Sequence, residues 1–372
     1  MLTAKSCNDD FTRNHCVMQG KGAYNRTAVV QMTLVDYTAH LLERHMTRFV
    51  AAMAPAPCMT LRIADLGASE GRNSVALISL LLQQLEAALP TDIDREYMVF
   101  HEDLPENDFD SLLATVNSPA SYAHATPHVY TSVIAKSFYE RLVPANSIDI
   151  FVSYISLHWL SIIPVTLPGN YMALNAPTRA ALPDVYARWK AQGHADWVRF
   201  LRLRGVELAD NGVMCITMAG YADNVIQTAW ADVVPRALAE CVRLGTLSQV
   251  SMDKMTLGGY LRTCDEVRAG VAEVPEFELH ECEMIDMPLA VPSAQAGAAF
   301  MVATTTPSVV AAMSDVERTD PAFHAMFEAQ LALQFDRLVT IDGVSKPIYA
   351  HLAMRYLYCA LSRRPRIECK AV

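Results

Sequence analysis

The sequence predicts an α/β protein, a doubly wound and mostly parallel sheet with a helical cap, and three observations carry that expectation. Residues 61–73 read as a short buried strand, a glycine turn and the start of a helix. Leu61, Ile63 and Leu66 are apolar there, and Gly67 and Gly71 let backbone approach a ligand closely. Further strand candidates at 97–105, 129–134, 148–154 and 213–218 alternate with helical runs. Beyond about residue 222 the strands thin out and helical patterns take over, at 225–244, 264–273 and 322–340, with one more strand at 277–284.

Taken in order, residues 1–17 are polar and read as an irregular arm. A glycine-containing loop from Met18 then leads into helix that continues to about Ala52, where Pro55 and Pro57 end it. The opening strand and its turn feed a helix over 74–88. The second strand ends on Asp103, and residues 106–110 start the helix that follows, with Asn107, Asp108 and Asp110 offering N-cap chemistry. After the fourth strand come helical runs over 179–193 and 195–208. The turn Asp210-Asn211-Gly212 introduces the fifth strand, and 288–297, rich in Pro, Ala and Gly, is expected to be an exposed loop. The expected organisation is an arm (1–17), an α/β ligand-binding domain with inserted helices (18–221), and a mainly helical cap with returning strands of the sheet (222–372).

Composition narrows the class. Hydrophobic residues make up 52% and charged residues 19%, enough to bury a sizeable core. A net charge of −10 argues against a nucleic-acid binder, which needs a basic surface to neutralise phosphates. Nine cysteines without C-x-x-C pairs suit reduced thiols rather than a disulfide framework, and none has zinc-ligand spacing. The first residues lack the apolar run of a signal peptide, and no apolar stretch reaches the roughly 18 residues needed to span a membrane. A soluble, cytoplasmic protein is expected.

Two constellations could carry chemistry. Asp65 and Asp103 end consecutive strands, and the second acid stands where such sheets bind ribose hydroxyls. Either acid alone reads as a solvated turn residue or a helix cap; both beside the glycine turn point to an adenosine-type ligand. The turn lacks G-x-G-x-x-G, which a dinucleotide pyrophosphate needs, and this favours S-adenosylmethionine. The second constellation, residues 153–161, places His158 and Trp159 directly after a strand end. Trp159 offers one N–H donor and a broad apolar wall, although a tryptophan is more often simply core.

These residues resemble a known family. Met18-x-Gly20-x-Gly22-x-Tyr24 with Gln31, Ala64-Asp65-Leu66-Gly67-Ala68-Ser69-x-Gly71-x-Asn73, and Asp103-Leu104-Pro105-x-Asn107-Asp108-Phe109 look like blocks of the salicylate, benzoate and theobromine (SABATH) methyltransferases. Ser137-Phe138-Tyr139-x-Arg141-Leu142, Ser156-Leu157-x-Trp159-Leu160-Ser161, Asn170-Tyr171-Met172-Ala173 and Met252-Asp253-Lys254-Met255 follow in family order. The resemblance implies a Rossmann-like methyltransferase fold, S-adenosylmethionine as cofactor and a homodimer. It implies that Tyr24, Asp65 and Asn73 hold the cofactor's methionine end, that Gly67 also binds the cofactor, that Asp103 and Leu104 meet ribose and adenine, and that Ser137 and Phe138 complete the adenine pocket.

By the same resemblance, Gln31 and Trp159 are the catalytic pair that hydrogen-bonds the acceptor's carboxylate. Ile155, His158, Trp230 and Tyr260 match substrate-wall positions. The activity implied is methyl esterification of a small, partly apolar, usually aromatic carboxylic acid. The alternatives are N-methylation of a purine-alkaloid-like or other heterocycle, and a cofactor-binding protein without turnover. Several departures bear on the site. Gln19 replaces a lysine, Ala28 and Ala68 replace hydroxyl or thiol residues, and Ile155 replaces a frequent tyrosine. Asp253 survives from a Mg²⁺ segment whose asparagine is missing, so no functional metal is expected. Glu70 and Arg72 depart as well; Glu70 is expected to favour the helix dipole and to lie near the cofactor's ammonium.

Overall fold

A seven-stranded sheet in the order β3-β2-β1-β4-β5-β9-β6 forms the centre of the computed structural model, which describes residues 17–27, 29–53, 58–91, 94–169, 176–288, 291–351 and 353–366. Its strands are β1 Cys58–Leu66, β2 Asp94–Asp103, β3 Val129–Ala135, β4 Ile148–Tyr154, β5 Leu208–Ala219, β6 Phe277–Pro288 and β9 Ala353–Arg363. The first five run parallel; β9 lies antiparallel between β5 and β6. A separate hairpin pairs β7 Leu338–Ile341 with β8 Val344–Pro347. The arm up to residue 16 lies outside the described residues.

Each face of the sheet is covered for a sequence reason. The helix Arg72–Ala88 buries Leu77, Ile78, Leu81, Leu82 and Leu85, the i, i+3, i+4 stripe of an amphipathic helix, against β1 and β2. Ala39–Ala52 lies on the same face, burying Leu41, Leu42, Met46 and Phe49. On the other face Trp197, Phe200 and Leu201 of Pro183–Glu207 pack with Val267 and Val271 of Cys264–Ala272. A further core, built from Val225–Ala231, Val233–Arg243, Ala294–Ala311 and Pro321–Phe335, forms the cap and takes in Leu34 from the N-terminal helix Val29–Tyr37.

Three expectations are corrected. The two helices anticipated over 179–208 are a short turn of helix, Ala176–Ala181, and then one 25-residue helix, Pro183–Glu207. Gly193 sits inside that helix instead of ending it, because the Tyr260 ring fills the space where its Cβ would stand, 2.5 Å away. The stretch 288–297 is not an exposed loop throughout: Ser293 caps the helix Ala294–Ala311, and Ala294, Gly297 and Ala298 are buried, Gly297 against the Phe335 ring. Asp210-Asn211-Gly212 lies within β5 as an irregularity, with Asn211 at φ +62°, so that strand starts earlier than expected.

Candidate functional site

At the carboxyl ends of β1 to β4, where the strand order reverses between β1 and β4, lies a cavity of about 400 Å³. This is the crevice in which open α/β sheets bind ligands, and the volume suits a small molecule. Gly67 and Ser69 line it from the turn after β1, residues 103–106 from the end of β2, and residues 137–140 from the end of β3. Residues 154–156 and 159–162 line it from the end of β4, Met18 and Tyr24 from the N-terminal segment, and Arg199 from the long helix.

The turn is built for close approach. Gly67 has φ +84°, and a Cβ there would lie 2.4 Å from that of Ser156. The hydroxyls of Ser153 and Ser156 both donate to the Leu66 carbonyl at 2.9 Å, tying the end of β4 to the end of β1. Asp103 accepts the Ser69 N–H at 2.7 Å on one oxygen and the Leu104 N–H at 2.8 Å on the other. Each oxygen keeps a further lone pair, the arrangement needed to take two ribose hydroxyls. Burial pushes the Asp103 carboxyl up to about 6 against those two backbone donors.

Asp65 is 3% exposed and stands behind this surface. It accepts a hydrogen bond from the Ser74 hydroxyl, which lies 2.8 Å from His101 Nδ1, while His101 Nε2 lies 2.6 Å from the Tyr122 hydroxyl. Ser74 has one proton and gives it to Asp65, so His101 donates from Nδ1 and accepts at Nε2 from Tyr122. Burial keeps that imidazole neutral by lowering it to about 4, and raises Asp65 to about 7. Every proton of this buried chain points toward the Asp65 carboxylate.

Glu70 behaves differently from expectation. Its carboxylate, 1% exposed, turns to the N-terminal segment and accepts the backbone N–H of Gly22 at 2.5 Å and of Asn25 at 2.8 Å. The Asn25 side chain answers by donating to the Glu70 carbonyl at 2.9 Å and accepting the Arg72 N–H at 3.1 Å, and the Arg72 guanidinium donates to the Asn25 carbonyl at 2.6 Å. Residues 20–27 are thereby held over the turn. Tyr24, carried on that segment, reaches the cavity; burial first, then the charges of Asp103 and Glu70, raise its phenol, while the Asn73 amide beside it acts in the opposite sense. Asn73 Oδ1 is buried and finds no donor among the described residues.

The loop after β3 is held from behind. Arg204, fully buried, donates to the Phe138 carbonyl at 3.0 Å and the Glu140 carbonyl at 2.8 Å, and its Nε lies 2.8 Å from Glu207. Glu207 in turn accepts the Leu142 N–H at 2.6 Å. Ser137, Phe138, Tyr139 and Glu140 are thus presented to the cavity by a buried ion pair on the long helix.

After β4, Ile155 adopts φ +61°, a strained conformation for a β-branched residue, held by its N–H donating to Thr217 at 2.9 Å. Its side chain lines the cavity and packs on the cap core. Trp159 also lines the cavity, and its indole N–H finds no acceptor among the described residues. Gln31 lies on Val29–Tyr37, but its side chain is outside the described residues. That helix is tied to the cavity by Tyr154, whose hydroxyl lies 3.1 Å from Thr38 Oγ1. Thr38 donates its own proton to the Leu34 carbonyl at 2.8 Å, so Tyr154 is the donor.

Three expected wall residues stand elsewhere than on this cavity. Tyr260 is fully buried against Gly193, and its hydroxyl donates to Glu266 at 2.8 Å, because the long helix packs where the sequence suggested substrate. His158 is buried behind Trp159, ring centroids 4.7 Å apart; burial and the Arg262 charge lower it to about 3. Trp230 belongs to the cap core, and its Nε1 finds no acceptor among the described residues. Conversely, sequence reasoning missed Met18, Ser69, Tyr154, Ile162 and Arg199 as wall residues. Tyr154 carried a signal: it is the last residue of β4 and lies inside the 153–161 constellation. Arg199, in mid-helix, carried none. Asp253, from the expected metal segment, accepts the Gln249 amide at 2.7 Å on the surface.

The residues fit S-adenosylmethionine: Asp103 offers a lone pair on each oxygen to a diol, and the buried Asn73 Oδ1, which finds no donor among the described residues, offers one to an ammonium. Comparison with known proteins agrees. The family model described as SAM-dependent carboxyl methyltransferase matches residues 12–352. Salicylate carboxymethyltransferase of Clarkia breweri is 27% identical over 278 residues, covering 71% of this chain and 74% of the relative. The 3,7-dimethylxanthine N-methyltransferase of Camellia sinensis var. assamica is 27% identical over 241 residues, covering 61% and 65%. A solved structure, loganic acid methyltransferase with SAH, shares the fold with a TM-score of 0.77 at 19% identity, covering 94% of this chain and 99% of that one. With the family model matching residues 12–352, the chain belongs to the SABATH family of S-adenosylmethionine-dependent carboxyl methyltransferases.

Proposed function

We propose that this methyltransferase esterifies a small, partly apolar carboxylic acid, with an aromatic acid the best match to the walls. The observation that carries this reading is Trp159: an indole N–H without an acceptor among the described residues, on a cavity otherwise walled at that end by Tyr154, Ile155 and Ile162. That donor, with the Arg199 guanidinium also on the cavity and apolar surface beside it, suits an acceptor with an anionic end and a flat body. A carboxylic acid with a pKa near ~4 is ionised at neutral pH, so the chain needs no general base. The neutral, enclosed His158 is consistent with that economy.

When bound, S-adenosylmethionine supplies an electrophilic sulfonium methyl. The chain's own residues then have a geometric task. Trp159, with Gln31 on the adjoining helix, orients one carboxylate oxygen so that the other faces the methyl donor site, and Ile155 and Tyr154 exclude water from the acceptor body. Asp103 and Leu104 are assigned to ribose and adenine, Ser137 and Phe138 to the far side of the adenine, and Tyr24, Asp65, Gly67 and Asn73 to the methionine end. A homodimer and a cytoplasmic site of action are part of the same reading and rest on the family resemblance.

The test is transfer of a radiolabelled methyl group to a panel of benzoate, salicylate, anthranilate, indole-acetate and methylxanthines. Esters release their methyl as methanol in mild alkali, and N-methyl products do not. Alkali-stable label on a xanthine, with no label on any acid, would replace this reading with the N-methyltransferase one.

A further inference from the structure

The turn that carries Trp159 is suspended by its carbonyls. The Tyr260 N–H donates to the His158 carbonyl at 2.7 Å, and the Tyr139 hydroxyl donates to the Trp159 carbonyl at 2.7 Å. The remaining carbonyl, that of Leu157, takes its hydrogen bond from a charged group: Arg262 donates to it at 2.6 Å from one guanidinium nitrogen, and from the other to the Gly193 carbonyl in the long helix at 2.8 Å. Arg262 is 1% exposed and has no carboxylate within ion-pair distance among the described residues. Its backbone is fixed at the end of β5, where it bridges Gly220 and its carbonyl accepts the Tyr221 N–H at 3.0 Å.

A neutral hydroxyl would satisfy one carbonyl. A buried cation is costly to desolvate, and breaking one side of such an arrangement is correspondingly damaging. What the planar guanidinium adds is a rigid fork spanning two elements, which lysine's single ammonium cannot reproduce. Asp196 registers the Arg262 charge, and that carboxylate holds the other end of the same turn, taking the Ser161 N–H at 2.8 Å and the Ser161 hydroxyl at 2.6 Å. Between these two anchors the Trp159 side chain lines the cavity, and its indole N–H finds no acceptor among the described residues.

We infer that Arg262 is a positioning residue for the methyl acceptor: by bracing the Leu157 carbonyl against the long helix it sets the direction of the Trp159 N–H. The inference rests on the carboxylate reading above, since it acts through the group that would grip the acid. It touches neither the glycine turn nor Asp103, so its loss is felt at the acceptor and not at the cofactor.

The test compares Arg262→Met and Arg262→Lys with wild type, using benzoate and the acid turned over fastest in the panel. Acceptor KM rises tenfold or more in both variants, while the dissociation constant of S-adenosylhomocysteine changes less than twofold. Should the methionine variant fail to fold, the lysine variant, which keeps the charge but not the fork, carries the comparison. In a Trp159→Phe background, Arg262→Lys changes KM less than twofold, because the group it aims is gone. Additive losses, full rescue by lysine, or equal losses of acceptor and S-adenosylhomocysteine binding overturn the Arg262 inference and leave the carboxylate reading intact. An unchanged KM in Trp159→Phe alone sinks the carboxylate reading, and the Arg262 inference with it.

Discussion

Replacing Glu70 by alanine removes two hydrogen bonds from backbone N–H groups to a carboxylate, those of Gly22 and Asn25, at 2.5 and 2.8 Å. Hydrogen bonds to a charged group are worth about 1.5–3 kcal/mol each, so the clasp on residues 20–27 weakens by about 3 kcal/mol at the low end of that range. At ~1.4 kcal/mol per tenfold, the open population of the segment rises about a hundredfold. The contact of Arg72 with the Asn25 carbonyl and the Lys21 N–H donated to Asp108 at 2.8 Å keep the segment tethered, so the opening is local. Amide exchange reads it directly, because the two amides at stake are the lost donors. Exchange at Gly22 and Asn25 accelerates about a hundredfold, and S-adenosylhomocysteine binds about tenfold more weakly as Tyr24 and Met18 leave the cavity wall. Glu70→Gln keeps one acceptor oxygen and falls between. Exchange at those amides within threefold of wild type would show that the clasp does not hold the segment.

Cofactor affinity should depend on pH through the two strand-end acids. Asp103 is raised to about 6 and Asp65 to about 7, and the roles proposed for them toward a diol and an ammonium require both ionised, so S-adenosylhomocysteine binding should strengthen from pH 5 to 8 and then level off. Stability without ligand runs the other way for these groups. Their native values exceed the unfolded value of about 4, the native state holds the extra protons between, and their contribution falls as pH rises from about 4 to about 7. Asp65→Asn removes its share, so the melting temperature of the variant minus that of wild type should grow from pH 5 to 8; a flat difference refutes the buried acid as the cause. Arg204→Met takes from Glu207 its buried partner, leaving only the part-exposed Arg141 guanidinium 3.2 Å away, and leaves two carbonyls of the 138–140 loop without a donor. Denaturant unfolding should register a loss of about 3–5 kcal/mol, and a loss below about 1 kcal/mol would contradict the assignment.

Much of the donor half of the site was legible because it is local. Leu61 to Asn73 carries its own strand, turn and helix start, and Asp103 ends the next strand, so both arrive at the carboxyl edge of the sheet whatever the remaining chain does. Asp108 caps the helix Phe109–Val116 by accepting the Ser111 N–H at 3.0 Å, as its residue type suggested. The strand β9 was not legible. From Tyr356 to Leu361 every residue is buried, because the strand is flanked on both sides and covered on both faces, and an unbroken apolar run has no period to read. The β7–β8 hairpin, turning at Asp342-Gly343, was overlooked even though that dipeptide is a hairpin signal. Gly193 misled because glycine is a good marker of helix ends only when nothing occupies the place of its missing side chain.

What the sequence determined by itself was therefore the class of fold, the strand ends on which a cofactor sits, and, through ordered blocks of residues, the family. Those features depend on neighbours a few positions apart, where spacing alone dictates geometry. Only the tertiary structure decided that Glu70 grips the N-terminal segment instead of facing the cofactor site, that Tyr260 belongs to the core, that Tyr154 joins the cavity wall, and that Arg262 braces the turn of Trp159. Each joins segments far apart in the chain, and partners of that kind are chosen by packing, which no local pattern encodes.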